Sequence, residues 1–114
     1  MSDCLFCRIA RGEIPAQKLA ENDHAIAIRD ISPQAPTHVL VIPKTHVADS
    51  AAQLGAAQSA MLGAIFELAA EVARAEKLEQ GWRLVTNVGR HGGQTVPHLH
   101  FHLLGGRAMQ WPPG

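Results

Sequence analysis

His98-Leu99-His100-Phe101-His102-Leu103-Leu104 sets three histidines two residues apart, with apolar residues between them. A strand alternates its faces with a period of two. Such a run therefore sends its imidazoles to one side and Leu99, Phe101 and Leu103 to the other, into a core. Imidazole can serve as nucleophile, base or metal ligand near neutral pH. A lone strand histidine is usually just a hydrogen-bonded residue. Three in alternation, beside the approach Gly89-Arg90-His91-Gly92-Gly93-Gln94, predict a site.

His100 is the central ring. The lone pair of a neutral imidazole can attack phosphorus, and water can resolve the labile phosphorylated ring, so one displacement becomes two. The other ring nitrogen must then stay protonated against an acceptor, for which a main-chain carbonyl of the same strand would serve. The attacked phosphate needs donors. Gly92 and Gly93 allow close main-chain approach, and Gln94, Thr95, Asn87 and His102 add side-chain donors. There is no GxxxxGK[ST] loop and no run of carboxylates for magnesium. Phosphoryl chemistry without a bound divalent cation is the expectation.

The elements that position these groups are legible as patterns. Cys4–Arg11 predicts a short helix ended by Gly12 and Pro15. Lys18–Glu21 and Ala25–Arg29 flank Asn22-Asp23-His24 and predict a hairpin. Asp30–Pro36 carries two prolines and predicts a loop. His38–Ile42, ended by Pro43, predicts a buried strand. From about Ala56 to Leu78, the residues Met61, Leu62, Ile65, Phe66, Ala69, Val72 and Ala73 draw one helical stripe, with Gly81 as its stop. Arg83–Val88 and His98–Leu104 predict two more strands. The expected class is α+β: an antiparallel sheet with helices packed on it.

With 114 residues the chain predicts a single domain over 1–114. Ten Lys and Arg balance ten Asp and Glu, so no basic face argues for nucleic acid or a membrane surface, and self-association is unsurprising. The sequence reads as lacking the ~20-residue apolar span that a membrane helix requires. Met1-Ser2-Asp3-Cys4 lacks the features of a signal peptide, which makes a cytoplasmic location the expectation. Cys4 and Cys7, three residues apart, predict metal or redox chemistry rather than a structural disulfide.

These residues resemble the histidine triad superfamily, whose motif is His-φ-His-φ-His-φ-φ with φ apolar. Asp30-Ile31-Ser32-Pro33-Gln34-Ala35-Pro36-Thr37-His38, Val41-Ile42-Pro43-Lys44, Gly92-Gly93-Gln94 and Trp111-Pro112-Pro113-Gly114 look like its Hint branch. The resemblance covers nearly the whole chain. It implies a five-stranded antiparallel sheet with one long and one short helix, joined into ten strands in a homodimer. It also implies a nucleoside phosphoramidase that binds purine nucleoside monophosphates and cleaves P–N bonds. His100 matches the nucleophile, His102 a phosphate-contacting histidine, and His98 the residue whose carbonyl orients the nucleophile. His38 matches an upstream active-site histidine. Asn87, Gly93, Thr95 and Val96 match the phosphate cradle, and Asp30 matches the carboxylate gripping the ribose hydroxyls. Leu5, Phe6, Ile9, Ile28 and Ile31 match the apolar slot for the base. Trp111 matches a residue that reaches toward the partner's site. Thr95 stands where Ser is usual in eukaryotic members, and Pro97 where a bulky residue is frequent, so leaving-group preference is open.

Bacterial relatives pair such a Cys-x-x-Cys with the His of a Pro-Lys-x-His segment and with the first triad His. Here the resemblance implies a structural zinc on Cys4, Cys7, His46 and His98. Two other readings compete with the phosphoramidase. One is a hydrolase of dinucleoside polyphosphates or a nucleotidyl transferase, the transferase being disfavoured because no element remains for a large acceptor. The other is a regulatory nucleotide-binding module whose hydrolysis is incidental.

Overall fold

The computed structural model describes residues 4–114. Its helix α1 (Leu5–Ala10) is followed by β1 (Lys18–Glu21), β2 (Ala25–Arg29) and β3 (Thr37–Pro43). Helix α2 (Ser59–Ala75), β4 (Trp82–Val85) and β5 (Phe101–Gly105) complete the order. The strands form one sheet in the order β1-β2-β3-β5-β4, with every neighbouring pair antiparallel. The predicted class holds, and so do the hairpin and the buried strand, since all seven residues of β3 are buried.

Both faces of the sheet are covered, which explains why β2 and β3 are apolar without alternation. Ala25, Ala27, Val39, Val41, Phe101 and Leu103 pack against Ile65, Leu68, Ala69 and Val72 of α2. Ile26, Ile28, Leu40 and Ile42 pack against Phe6 of α1 on the other face. Period-two alternation sorts the two sets. Glu76 at the end of α2 takes a two-pronged hydrogen bond from Arg29, at 2.8 and 2.9 Å, and ties the helix to β2.

Four boundaries differ from the sequence reading. The strand expected at His98 begins only at Phe101. Pro97 has no N–H to give, the His98 N–H turns back to Val96 O (2.9 Å), and the Leu99 N–H goes to Ala48 O (3.0 Å). Its expected partner, Arg83–Val88, ends as a strand at Val85, and the Thr86 hydroxyl donates to His100 O (2.8 Å) instead. Leu99, Phe101 and Leu103 are nevertheless all buried in the core. The long helix is shorter than Ala56–Leu78, because Ala56–Gln58 forms a separate 3-10 turn. It also stops well before Gly81. Lys77 adopts φ 61°, with Lys77 N–H on Arg74 O and Leu78 N–H on Ala73 O. This paired closure satisfies the last carbonyls and turns Leu78 into the core.

Phe66, placed on the apolar stripe by its spacing, is 54 % exposed. Leu68 and Ala64 are buried on that face instead. Segment 56–75 has a mean hydropathy of 1.2 and is long and apolar enough to cross a membrane by length and composition, contrary to the sequence reading. In this fold its buried face is spent on the sheet.

Candidate active site

Immediately before β5, His100 Nδ1 donates to the main-chain oxygen of His98, 2.7 Å away. The neutral ring then carries its lone pair on Nε2. His100 is 5 % exposed, and Phe6 of α1 meets it edge to face at 4.8 Å between ring centroids. The ring is thus held from two sides in the orientation a nucleophile requires.

His102 follows two residues later and lies opposite Leu40 of β3. Its Nδ1 is 2.9 Å from Nε2 of His38, which comes from the start of β3. His38 Nδ1 accepts the Gln34 N–H at 3.0 Å, and Asp30 Oδ2 is 3.4 Å from His38 Nε2. Burial lowers the pKa of both rings below the usual histidine value. Both are neutral at pH 7.

A cavity of about 290 Å³ opens on His100 and His102. Its lining includes Leu5, Phe6, Ile9, Ile28, Asp30, Ile31, Thr95, Val96, His100 and His102, ten of the residues the sequence singled out. Ile31 is 98 % exposed and forms only a rim. Ile14, Pro15, Ala16, Arg29 and Leu40 also line the cavity and were missed. The first three precede β1 and follow no period. Leu40 was legible only as core, since its place opposite His102 needs the strand register. Asp30 Oδ1 accepts the Ser32 N–H (2.7 Å), an Asx turn that leaves Oδ2 toward His38.

Asn87, Gly93, Gln94 and Trp111 do not line this cavity. Asn87 Nδ2 donates to Gly92 O (2.6 Å). Gln94 accepts from Gly89 N–H and donates to Asp49 O and Val96 O, so it staples the glycine loop. Gly92 is packed on the chain itself: a Cβ there would lie 2.2 Å from Val88 O. Gly93, at φ 82°, uses the left-handed freedom of glycine. Trp111 is 83 % exposed.

Behind His100 lies a second cluster. The donor atoms of Cys4, Cys7, His46 and His98 all fall within 4.8 Å of one another. His98 Nδ1 is 3.1 Å from Cys4 Sγ and 3.5 Å from Cys7 Sγ, and His46 Nδ1 is 3.6 Å from Cys7 Sγ. Each histidine's other nitrogen has an acceptor: Pro43 O for His98 (3.3 Å) and Asp49 Oδ1 for His46 (2.6 Å). Those acceptors fix the tautomers so that both Nδ1 lone pairs face the sulfurs, as metal-ligating histidines need. Burial pushes the His98 pKa down to about 4, so the ring is neutral. Burial also opposes the Cys4 thiolate, but hydrogen bonding, chiefly from Cys7, outweighs it and the thiol lies below its usual value. With His46, whose hydrogen bond to Asp49 raises its pKa, and two sulfurs, His98 completes an N₂S₂ donor set of the kind that holds zinc tetrahedrally.

The HIT domain family matches residues 11–109. The chain belongs to the HIT family. Its fold superposes on a HIT family hydrolase from Legionella pneumophila with a TM-score of 0.94 at 53 % identity, covering 98 % of this chain and 100 % of that one. An uncharacterized HIT-like protein of Synechococcus elongatus is 48 % identical over 112 residues, 98 % of this chain and 97 % of that protein. A 14 kDa zinc-binding protein of Zea mays is 47 % identical over 116 residues, 99 % of this chain and 89 % of that protein.

Within the HIT fold, His98 joins the two clusters. Its ring faces the sulfurs while its carbonyl holds His100. Helix α1 joins them again, because Cys4 and Cys7 lie in the donor set while Leu5, Phe6 and Ile9 line the cavity. The described residues thus bring a fixed imidazole lone pair, the neutral ring of His102 and the carboxylate of Asp30 to one cavity.

Proposed function

We propose that this HIT protein is a purine nucleoside phosphoramidase of the Hint branch. His100 Nε2 attacks the α-phosphorus of an AMP or GMP phosphoramidate. The N–P bond to His100 forms as the substrate P–N bond breaks, its electron pair leaving on the amine nitrogen, which gains a proton. Water then attacks phosphorus, releases the nucleoside monophosphate and returns His100 to its neutral state. The single observation carrying this reading is the 2.7 Å contact from His100 Nδ1 to His98 O, which commits the other nitrogen's lone pair to attack.

The cavity suits a nucleotide at each end. Ile9, Ile14 and Ile28 offer an apolar slot for the base, and Asp30 Oδ2, the oxygen outside the Asx turn, offers an acceptor to the ribose hydroxyls. Asp30→Ala is expected to weaken AMP binding by about 1.5–3 kcal/mol, read by calorimetry. 2′,3′-Dideoxy-AMP, which lacks both hydroxyls, should bind the two proteins alike.

Cys4, Cys7, His46 and His98 would hold a zinc ion, which would cross-link α1 to the sheet with no open position for water. His98 still acts on the reaction through its carbonyl. In the same reading the protein pairs with a second copy along β4, one of the two edge strands of the sheet. That pairing would make ten strands and bring Trp111 toward the partner's site. Sedimentation as a monomer would oppose the dimer.

Incubation with adenosine 5′-phosphoramidate, with AMP followed by chromatography, tests the activity. Release of AMP supports the reading. Folded protein that releases none overturns it and favours polyphosphate substrates or a binding role.

A further inference from the structure

The two rings behind the proposed phosphate site are wired in one direction. A main-chain N–H can only donate, so Gln34 N–H, 3.0 Å from His38 Nδ1, fixes that nitrogen as an acceptor. The proton of neutral His38 is then on Nε2. That N–H faces two acceptors, His102 Nδ1 at 2.9 Å and Asp30 Oδ2 at 3.4 Å. His102 Nδ1 is therefore an acceptor too, and the proton of His102 is on Nε2. Gln34 cannot easily withdraw: Arg107 Nη2 donates to its carbonyl (3.1 Å), and its side-chain amide donates to Ser32 O (3.0 Å).

We propose that Gln34 N–H, His38 and His102 form a donor chain that locks His102 as a neutral Nε2–H donor, which keeps its proton throughout turnover. His38 is then a positioning residue, acting through His102. The chain leaves no place for a second proton on either ring: His38 Nδ1 meets the Gln34 N–H, and His102 Nδ1 meets the His38 N–H. The other groups facing the pair are Asp30, beside His38, and His100, whose ring centroid is 5.1 Å from that of His102. Surrender of its only proton would leave His102 an imidazolate. The proton that joins the departing amine nitrogen therefore does not come from His102, which contributes a fixed dipole aimed at the phosphate oxygens. This inference rests on the phosphoramidase reading for its substrate, but the wiring can be read without one.

The test is a two-bond ¹H–¹⁵N spectrum of the histidines in the ¹⁵N-labelled full chain, without substrate. It should show His38 and His102 each with a protonated Nε2 and a bare Nδ1. His38→Leu removes the donor, so His102 should spread over both tautomers and kcat should fall by about tenfold or more, with KM within about twofold. His38→Gln puts an amide N–H near the former Nε2 and should restore both the Nε2–H tautomer and most of kcat. Wild-type His102 protonated on Nδ1, or on both nitrogens, overturns the proposal. So does a folded His38→Leu protein with unchanged His102 tautomer, or a folded His38→Gln protein as slow as His38→Leu. If His38→Leu does not fold, the wild-type spectrum and His38→Gln still decide. A correct wild-type spectrum in a protein that releases no AMP would sink the phosphoramidase reading and leave the wiring standing.

Discussion

His100→Ala is expected to slow AMP release from adenosine 5′-phosphoramidate on the order of 10⁴-fold or more, the scale set by loss of a nucleophile. AMP affinity should stay within a few-fold. Without the ring no covalent intermediate can form, and water must displace the amine directly. The carboxylate of Asp30 and the apolar wall of Ile9, Ile14 and Ile28 remain in place, so binding survives. Alanine also leaves a gap beneath Phe6, which packs on this ring. His100→Gln, nearer in volume, is therefore the companion variant. It should be as inactive as alanine and closer to wild type in stability. A His100→Ala protein that binds AMP and turns over at a comparable rate would remove the ring from the chemistry.

The second large effect is expected at the metal cluster. Cys7→Ser should take the bound zinc from one per chain to none, measured by elemental analysis. It should also lower stability by at least about 3 kcal/mol, the linkage expected when a ligand present at a hundred or more times its dissociation constant is lost. For a chain of this size that is a fall in Tm of about 10–20 °C. AMP affinity should drop as well, because Leu5, Phe6 and Ile9 sit on the helix the cluster tethers. Chelation of the wild type should reproduce both changes, and added zinc should reverse them. Identical melting with and without chelator would deny the cluster a structural role.

The two predictions meet at His98. One residue presents its ring to the sulfurs and its carbonyl to the nucleophile, so the rigidity of the cluster becomes the rigidity of His100. This explains how a metal with no place in the chemistry would still bear on it. The cluster fixes the main chain from which the nucleophile's orientation is taken.

Much of this was legible in the residue pattern, because the pattern is the physics. The alternation from His98 to Leu103 separates ring side from core side, and that separation survives even where the ladder hydrogen bonds do not. The unbroken apolar run of β3 announced burial on both faces. Other features depend on partners distant in sequence. No local signal says that Thr86 will replace a strand bond to His100, or that Leu40 will lie opposite His102. Helix α2 ends before the Gly81 stop to which the pattern points. The chain instead accepts a left-handed lysine at 77 to bury Leu78. Phe66 fits the helical period yet faces outward, since seven other residues of α2 already fill the contact with the sheet. Gln94 reads as a phosphate donor from its neighbours, but its amide ties the glycine loop to Asp49 and Val96. Gln34 lies in the stretch that carries the resemblance, but its side-chain type announces no role, because it acts through its main-chain N–H.

A bond from His100 Nε2 to phosphorus leaves its record in the stereochemistry at phosphorus. The substrate is a P-chiral phosphorothioate analogue of adenosine phosphoramidate, hydrolysed in ¹⁸O-water, with the configuration of the product determined. Two in-line displacements through His100 predict retention. Inversion would mean a single attack by water and would contradict the account.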